Sequence, residues 1–147
     1  MVSVIMLTCN RENFIKNMIE DILRQTFAEF EYIIVDNGSC DNSGRIADSY
    51  AERDQRIRVV HLDRAYSIGY GRNCGLREAR GEYVTFVDDD DRVKENYLEV
   101  LVSLLETNEA DIAVCGISEQ RGKEIVPQCV YDERIVLSGE EAVVELL

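Results

Sequence analysis

Four consecutive carboxylates, Asp88-Asp89-Asp90-Asp91, follow directly on the apolar run Tyr83-Val84-Thr85-Phe86-Val87. Such a cluster invites a cation, because two unit charges about 4 Å apart repel by roughly 4 kcal/mol at an effective dielectric of 20. On an extended chain Asp88 and Asp90 project to the same side, a spacing suited to a shared divalent metal. The run before them is rich in β-branched and aromatic residues, which predicts a strand buried on both faces. Ligands of open α/β sheets bind beyond the carboxyl ends of strands, and these acids stand at such an end. The competing reading is a solvated acidic turn whose last member, Asp91, N-caps the helix that follows.

Two further stretches carry the same ambiguity. Asp36-Asn37-Gly38-Ser39 is ordinary turn chemistry at the start of a helix, yet it too follows an apolar run and would share the edge of the acid cluster. Gly69-Tyr70-Gly71-Arg72-Asn73-Cys74-Gly75 lacks the dinucleotide-binding spacing and follows the third strand instead of the first. Arg72 within it reads equally as an exposed helix residue or a ligand contact. His61 is the single histidine and falls in or at the end of a strand, which favours a structural role over catalysis. Cys9, Cys40, Cys74, Cys115 and Cys129 are odd in number and contain no C-x-x-C pair. They read as reduced thiols of a cytosolic protein, mostly small buried hydrophobes, and not as a zinc site.

The elements that must position these groups are legible from hydrophobic periodicity. Residues 2–7 predict the first strand, with Thr8-Cys9-Asn10 as its exit loop and Asn10 as the cap of a helix. That helix has Phe14, Ile15, Met18, Ile19, Ile22 and Leu23 on one face. Residues 30–35 predict the second strand, residues 43–53 a helix with Ile46, Ala47 and Tyr50 inward, and residues 57–62 the third strand. The Gly-rich stretch 67–75 passes into a helix ending near Ala79. Residues 93–106 predict a helix, 112–114 a short strand, and the runs flanking Gly122 a hairpin. A last helix is expected after Ser138, its plausible cap. Strands alternating with helices predict a mainly parallel, three-layer α/β/α sheet in one domain over residues 1–147.

The totals bound the function. The chain has 147 residues, 46% hydrophobic and 31% charged, enough for a real core in a globular protein. A net charge of −13 excludes binding to a nucleic-acid backbone, which needs clustered Lys and Arg. It leaves room for a nucleotide, because a metal bridges acids to phosphate. No apolar run approaches the roughly 20 residues of a membrane span, and Met1 leads into a strand and not a signal peptide.

In their order and spacing these pieces resemble the inverting glycosyltransferases of family 2, which have the GT-A fold of nucleotide-diphospho-sugar transferases. The resemblance runs through Val2-Ser3-Val4-Ile5-Met6 with Asn10, Gln25-Thr26-Phe27, and Ile34-Val35-Asp36-Asn37-Gly38-Ser39 with Asp41. It continues through Gly71-Arg72-Asn73 with Gly75, and Gly81-Glu82-Tyr83-Val84 running into Phe86-Val87-Asp88-Asp89-Asp90-Asp91. The acid cluster then falls on the family's Asp-x-Asp metal motif. The resemblance implies transfer of a sugar, with inversion, from a nucleotide-diphosphate sugar (a UDP-sugar foremost) to a glycan or lipid-linked acceptor. Thr8, Cys9, Asn10, Asp36 and Asn37 would border the base, Arg72 the base or diphosphate, and Asp89 the ribose. Asp90, with Asp88, would hold Mn²⁺ or Mg²⁺. Cys9 stands where the family usually has an aromatic residue, and Asn37 where it often has a second Asp; an Asn can still accept a hydrogen bond from a pyrimidine N–H.

No segment matches the family's Glu-Asp base motif, and Glu140-Glu141 comes too early for it. The chain therefore reads as the donor-binding half, with its catalytic base expected beyond Leu147. A cytoplasmic protein, peripheral at the inner face of the membrane, is the expected setting. An apolar face on the last helix (Ala142, Val143, Leu146, Leu147) predicts homodimers. A base within the chain would have to be sought among Asp88, Asp91, Glu119 and Asp132. The rival class is a non-catalytic, receiver-like regulatory module, which would want acids after strand one, where Thr8-Cys9-Asn10 stands. A sugar nucleotidyltransferase would want a basic, Gly-rich loop there.

Overall fold

The computed structural model describes residues 1–122, 124–129 and 135–138. It divides into two compact units, the first from Met1 to Glu99 and the second from Val100 onward.

The first unit is built on the apolar runs. β1 (Val2–Thr8), β2 (Phe30–Asp36), β3 (Ile57–His61) and β4 (Tyr83–Asp88) form one sheet in the order β3-β2-β1-β4. All its pairings are parallel. Three helices connect the strands: α1 (Ile15–Leu23), α2 (Ser43–Ala51) and α3 (Ile68–Glu78). Ile5, Ile33 and Val35 form a fully buried cluster joined by Leu7, Val60, Leu62, Cys74 and Ala79. The alternate residues Val4, Met6, Tyr32 and Ile34 are equally buried, so β1 and β2 are covered on both faces. α3 approaches the sheet through Gly71 and Gly75, where an added Cβ would meet Leu7 and Ile5 side chains.

Several sequence expectations are corrected. Asn10 caps no helix: it has a positive φ of 54°, and α1 begins at Ile15 with no side-chain cap. The Gly-rich stretch does not precede a helix but is one, capped by Ser67, whose hydroxyl accepts the Tyr70 N–H at 3.3 Å. α2 closes at Ala51 and β3 at His61, each a little early. Among the described residues β4 is the sheet's edge, and it is not buried on both faces, with Val84 42% and Phe86 39% exposed.

α4 (Tyr97–Asn108) starts four residues later than its apolar periodicity suggests. The reason is tertiary. The backbone of residues 93–95 is already bonded outside any helix: Val93 N–H to Asp21, Lys94 C=O from the Gln25 amide, and Glu95 C=O from the Thr26 N–H. Gln25 Oε1 then accepts the Leu98 N–H at 2.9 Å, satisfying one of the open donors of the new helix from another element. Asp91 is thus not the cap of α4.

In the second unit, β5 (Ile117–Arg121) and β6 (Glu124–Cys129) pair antiparallel on either side of Gly122, the expected hairpin. Residues 112–114 form no strand, and Ile112 and Val114 are strongly exposed. The expected last helix, Glu140-Glu141, the apolar face at Ala142, Val143, Leu146 and Leu147, and Asp132 lie outside the described residues.

Candidate functional site

Parallel register brings the polar strand ends together. Thr8 pairs with Asp36 across β1 and β2, Leu7 with Asp88 across β1 and β4, and Asp36 with His61 across β2 and β3. One carboxyl edge of the sheet therefore carries the acid cluster, the exit of β1 and the turn after β2, all within the first unit.

The cluster has an inside and an outside. β4 ends at Asp88, and the Asp91 N–H donates to the Asp88 carbonyl at 3.2 Å, so Asp89 and Asp90 lie in a turn. The extended-chain argument for Asp88 and Asp90 does not reach past Asp88, though both side chains are exposed. Asp89 points inward, 7% exposed, and accepts the Thr8 hydroxyl at 2.7 Å. Burial pushes the Asp89 carboxyl up; the Thr8 hydroxyl and Arg11 oppose that, while Asp90 and Asp88 add to it. Asp91 is also raised, by burial first and then by Asp88 and Asp90.

Guanidinium groups face these acids from both flanks. Arg72 on α3 donates to Asp88 at 2.9 Å and lies over the Phe86 ring, 5.3 Å from its centroid. Arg11, from the loop after β1, stands 3.7 Å from Asp89 and 3.6 Å from Asp90. Sequence reasoning missed Arg11, which it placed in a helical turn; the positive φ at Asn10 redirects the chain there. The loop is tied to the start of α2, with Arg11 N–H donating to Ser43 Oγ at 2.8 Å and Glu12 N–H to Asp41 at 3.0 Å.

The turn after β2 is densely bonded. Asn37 is 4% exposed, its N–H donates to the Thr8 carbonyl, and both ends of its amide hold the backbone of Tyr66, each at 2.9 Å. The amide oxygen expected to meet a pyrimidine N–H accepts the Tyr66 N–H, which uses one of its two lone pairs. Gly38 has φ +69°, and a Cβ there would collide with the backbone of Arg64, so only glycine lets the turn and the 63–67 loop touch. Tyr66 stacks on Tyr70 at 4.4 Å, and the Arg64 guanidinium lies over the Tyr66 ring, 4.9 Å from its centroid. Asp36 accepts the Ser39 N–H and faces His61. Asn10 accepts the Cys40 N–H at 2.8 Å, and its amide reaches the Cys9 sulfur at 3.8 Å. The Cys9 thiol is raised by burial first, then by Asp36, Cys40, Asp41 and Asp89. Cys9, Cys40, Cys74 and Cys115 are free thiols.

A groove of about 590 Å³ is lined by Asp21, Arg24, Arg92 and Lys94 among others, and by none of the residues of the acid cluster or the β2 turn. Among the described residues, no group of three or more His, Cys, Asp or Glu is arranged to hold a metal ion. No helix of the described residues is long and apolar enough to cross a membrane.

A parallel sheet whose polar residues gather at its carboxyl edge defines an open α/β protein, the class that binds ligands at that edge. The chain belongs to glycosyl transferase family 2, whose family model matches residues 3–126. It is 39% identical over 142 residues to an uncharacterized glycosyltransferase, EpsJ, of Bacillus subtilis, covering 95% of this chain and 41% of that protein. It is also 39% identical over 114 residues to glycosyltransferase GlyG of Streptococcus pneumoniae, covering 78% of this chain and 38% of the relative. The crystal structure of S. aureus TarS 1–349 in complex with UDP superimposes with a TM-score of 0.80 at 30% identity, over 90% of this chain and 39% of that one. Mannosyltransferase PcManGT of Pyrobaculum calidifontis, in complex with GDP-Man and Mn²⁺, superimposes with a TM-score of 0.68 at 26% identity, over 80% and 34%. The fold is accordingly GT-A, and the chain spans about two fifths of the length of the curated relatives it matches.

Proposed function

We propose that this chain binds the nucleotide-sugar donor, a UDP-sugar foremost, of a metal-assisted, inverting glycosyltransferase. The observation that carries the reading is the buried Asp89, fastened to Thr8 and flanked by the exposed Asp88 and Asp90, with Arg72 and Arg11 on either side. Likeness to TarS, solved with UDP and with UDP-GlcNAc, supports it.

Asp88 and Asp90 offer hard oxygen donors, and two carboxylates completed by diphosphate oxygens suffice for Mg²⁺ or Mn²⁺. The ion, when bound, supplies positive charge to the departing diphosphate. Metal binding would take Asp88 from Arg72 and Asp90 from Arg11, freeing both guanidiniums for phosphate oxygens, which suit their forked geometry. Asp89 keeps its contact to Thr8 and faces the ribose from inside. The Thr8–Asn10 loop and the Asp36–Ser39 turn border the base, with Asn37 acting through the Tyr66 loop it holds. The acceptor, a glycan or lipid-linked hydroxyl, loses its proton to a carboxylate base, a role given to none of the described residues.

Calorimetry tests this directly. UDP binding to residues 1–147 should depend on Mn²⁺ and vanish in Asp90→Ala, and equal affinity with and without metal would refute the metal role. Acceptor-dependent turnover by residues 1–147 at ordinary enzyme rates would place the base within this chain after all.

A further inference from the structure

The single histidine bridges carboxylates on separate elements. His61, the last residue of β3, has Nδ1 3.0 Å from Asp36 Oδ2 on β2 and Nε2 2.9 Å from Asp48 Oδ1 on α2. A neutral imidazole has one N–H and one lone pair, so either tautomer would turn a lone pair on a carboxylate oxygen. Only the imidazolium donates in both directions.

What His61 holds is the root of the β2 turn. Asp36 is 6% exposed; its second oxygen accepts the Ser39 N–H at 3.1 Å, and its carbonyl accepts the Leu62 N–H at 2.9 Å. The next residue, Asn37, carries the Tyr66 loop. The charged groups facing the ring from the packed elements are Asp48 of α2 and Asp36 of β2. The hydrogen bond to Asp48, then that to Asp36, raises the imidazole above its ordinary value against a smaller opposing effect of burial.

We propose that His61 is a positioning residue of the nucleotide site: as the imidazolium it braces Asp36 against Asp48 and so shapes the Asp36–Ser39 turn, making donor binding weaken when it loses its proton. The inference rests on the nucleotide-sugar reading above. Because the folded value is raised, the brace is fully present below the unfolded value near 6.5 and is lost as pH rises through the folded one.

The test uses the fact that the chain has one histidine, so its imidazole resonance titrates without ambiguity in NMR. In the free protein the midpoint should lie above 6.5, and Asp48→Asn, outside the nucleotide site, should lower it. Saturating UDP with Mg²⁺ should raise it by about half a unit, which corresponds to about a threefold fall in affinity between pH 6 and pH 8.5. His61→Gln reports the pH dependence of nucleotide and metal alone, and the wild-type profile should fall more steeply than it. Asp48→Asn, which keeps the imidazole, should shift the steep part of the profile to lower pH if the glutamine variant fails to fold. A midpoint at or below 6.5, or one unmoved by bound UDP with parallel profiles, overturns the positioning role. Absence of UDP binding at every pH, with the midpoint still raised, overturns the donor reading and the coupling built on it, while leaving the bridge itself standing.

Discussion

Replacing Thr8 by Val keeps the shape and β-branching of a buried strand residue and removes one atom's chemistry. The Thr8 hydroxyl donates to Asp89 at 2.7 Å, and Asp89 is 7% exposed, so water does not take its place. A hydrogen bond to a buried charged group contributes about 1.5–3 kcal/mol. The remaining partner, Arg11, stands 3.7 Å away and is 46% exposed, so it compensates little. A loss of about 2 kcal/mol at pH 8 is expected, a fall of about 1 M in the urea midpoint for a slope near 2 kcal/mol/M. The pH dependence is the sharper signature. Asp89 is already raised by burial, and losing the Thr8 donor raises it further. A carboxyl raised on folding destabilises the fold only where it is ionised, so the penalty of Thr8→Val should be full at pH 8 and shrink as pH falls through the folded value of the carboxyl. Urea titrations of both proteins over a series of pH values from 8 downward measure this. A destabilisation that stays constant down to the acid limit of folding, or a loss under about 0.5 kcal/mol at pH 8, would refute the assignment of a charged bond at Asp89.

Gly38→Ala forces a side chain into the left-handed region and against the Arg64 backbone, and should cost more than about 1 kcal/mol in chemical denaturation while loosening nucleotide binding. Glu31→Gln should cost about 1–3 kcal/mol at pH 8, since Glu31 accepts from Ser3 at 2.6 Å, the Arg80 N–H at 2.6 Å and Arg58 at 2.9 Å. Burial pushes Glu31 up, but these donors outweigh it and hold the carboxyl below its usual range. Its contribution is therefore present above the unfolded value and lost on acidification through the folded one, so wild type and Glu31→Gln should converge in stability at low pH. Gln25→Leu removes the acceptor of the Leu98 N–H, while the Lys94 carbonyl keeps the Tyr97 N–H, and should cost about 1–3 kcal/mol, with hydrogen exchange speeding up at Leu98 and unchanged at Val4 in β1.

The strands were legible because each is a short apolar run ending in polar residues, and parallel register did the rest: Thr8, Asp36 and Asp88 reach one edge because their strands are in step. Arg72 and Asp88 were both legible as candidates, and the structure joins them. The gaps share a cause, which is that long-range polar partners leave no periodicity. Asp21, Gln25 and Thr26 claim the backbone of residues 93–95 and delay α4, although Leu98, Leu101, Val102 and Leu105 keep a helical spacing. The hold of Asn37 on the Tyr66 backbone was not legible because the two are 29 residues apart in sequence. Arg11 was hidden by a left-handed Asn10 that no helix pattern announces. The exposure of Val84 and Phe86 follows from β4 standing at the sheet's edge, which a run of apolar residues does not disclose.

The contact of α3 with the sheet has an evolutionary consequence. Its fully buried positions are Gly71 and Gly75, so the helix seats itself chiefly by bare backbone, with the Cys74 side chain packed beside it. A shift of one residue along its axis would drive a side chain into Leu7 or Ile5, and the seat therefore admits a single register. Ile68, Tyr70 and Leu76, by contrast, point away and are 63%, 43% and 40% exposed. The helix is thus an indexed rail with interchangeable fittings: substitutions along its outer side alter what surrounds Arg72 without repacking the interior. The outer side can drift at almost no cost to folding, whereas a larger residue at Gly75 would strike the buried Ile5 side chain and one at Gly71 would require the Leu7 side chain to give way.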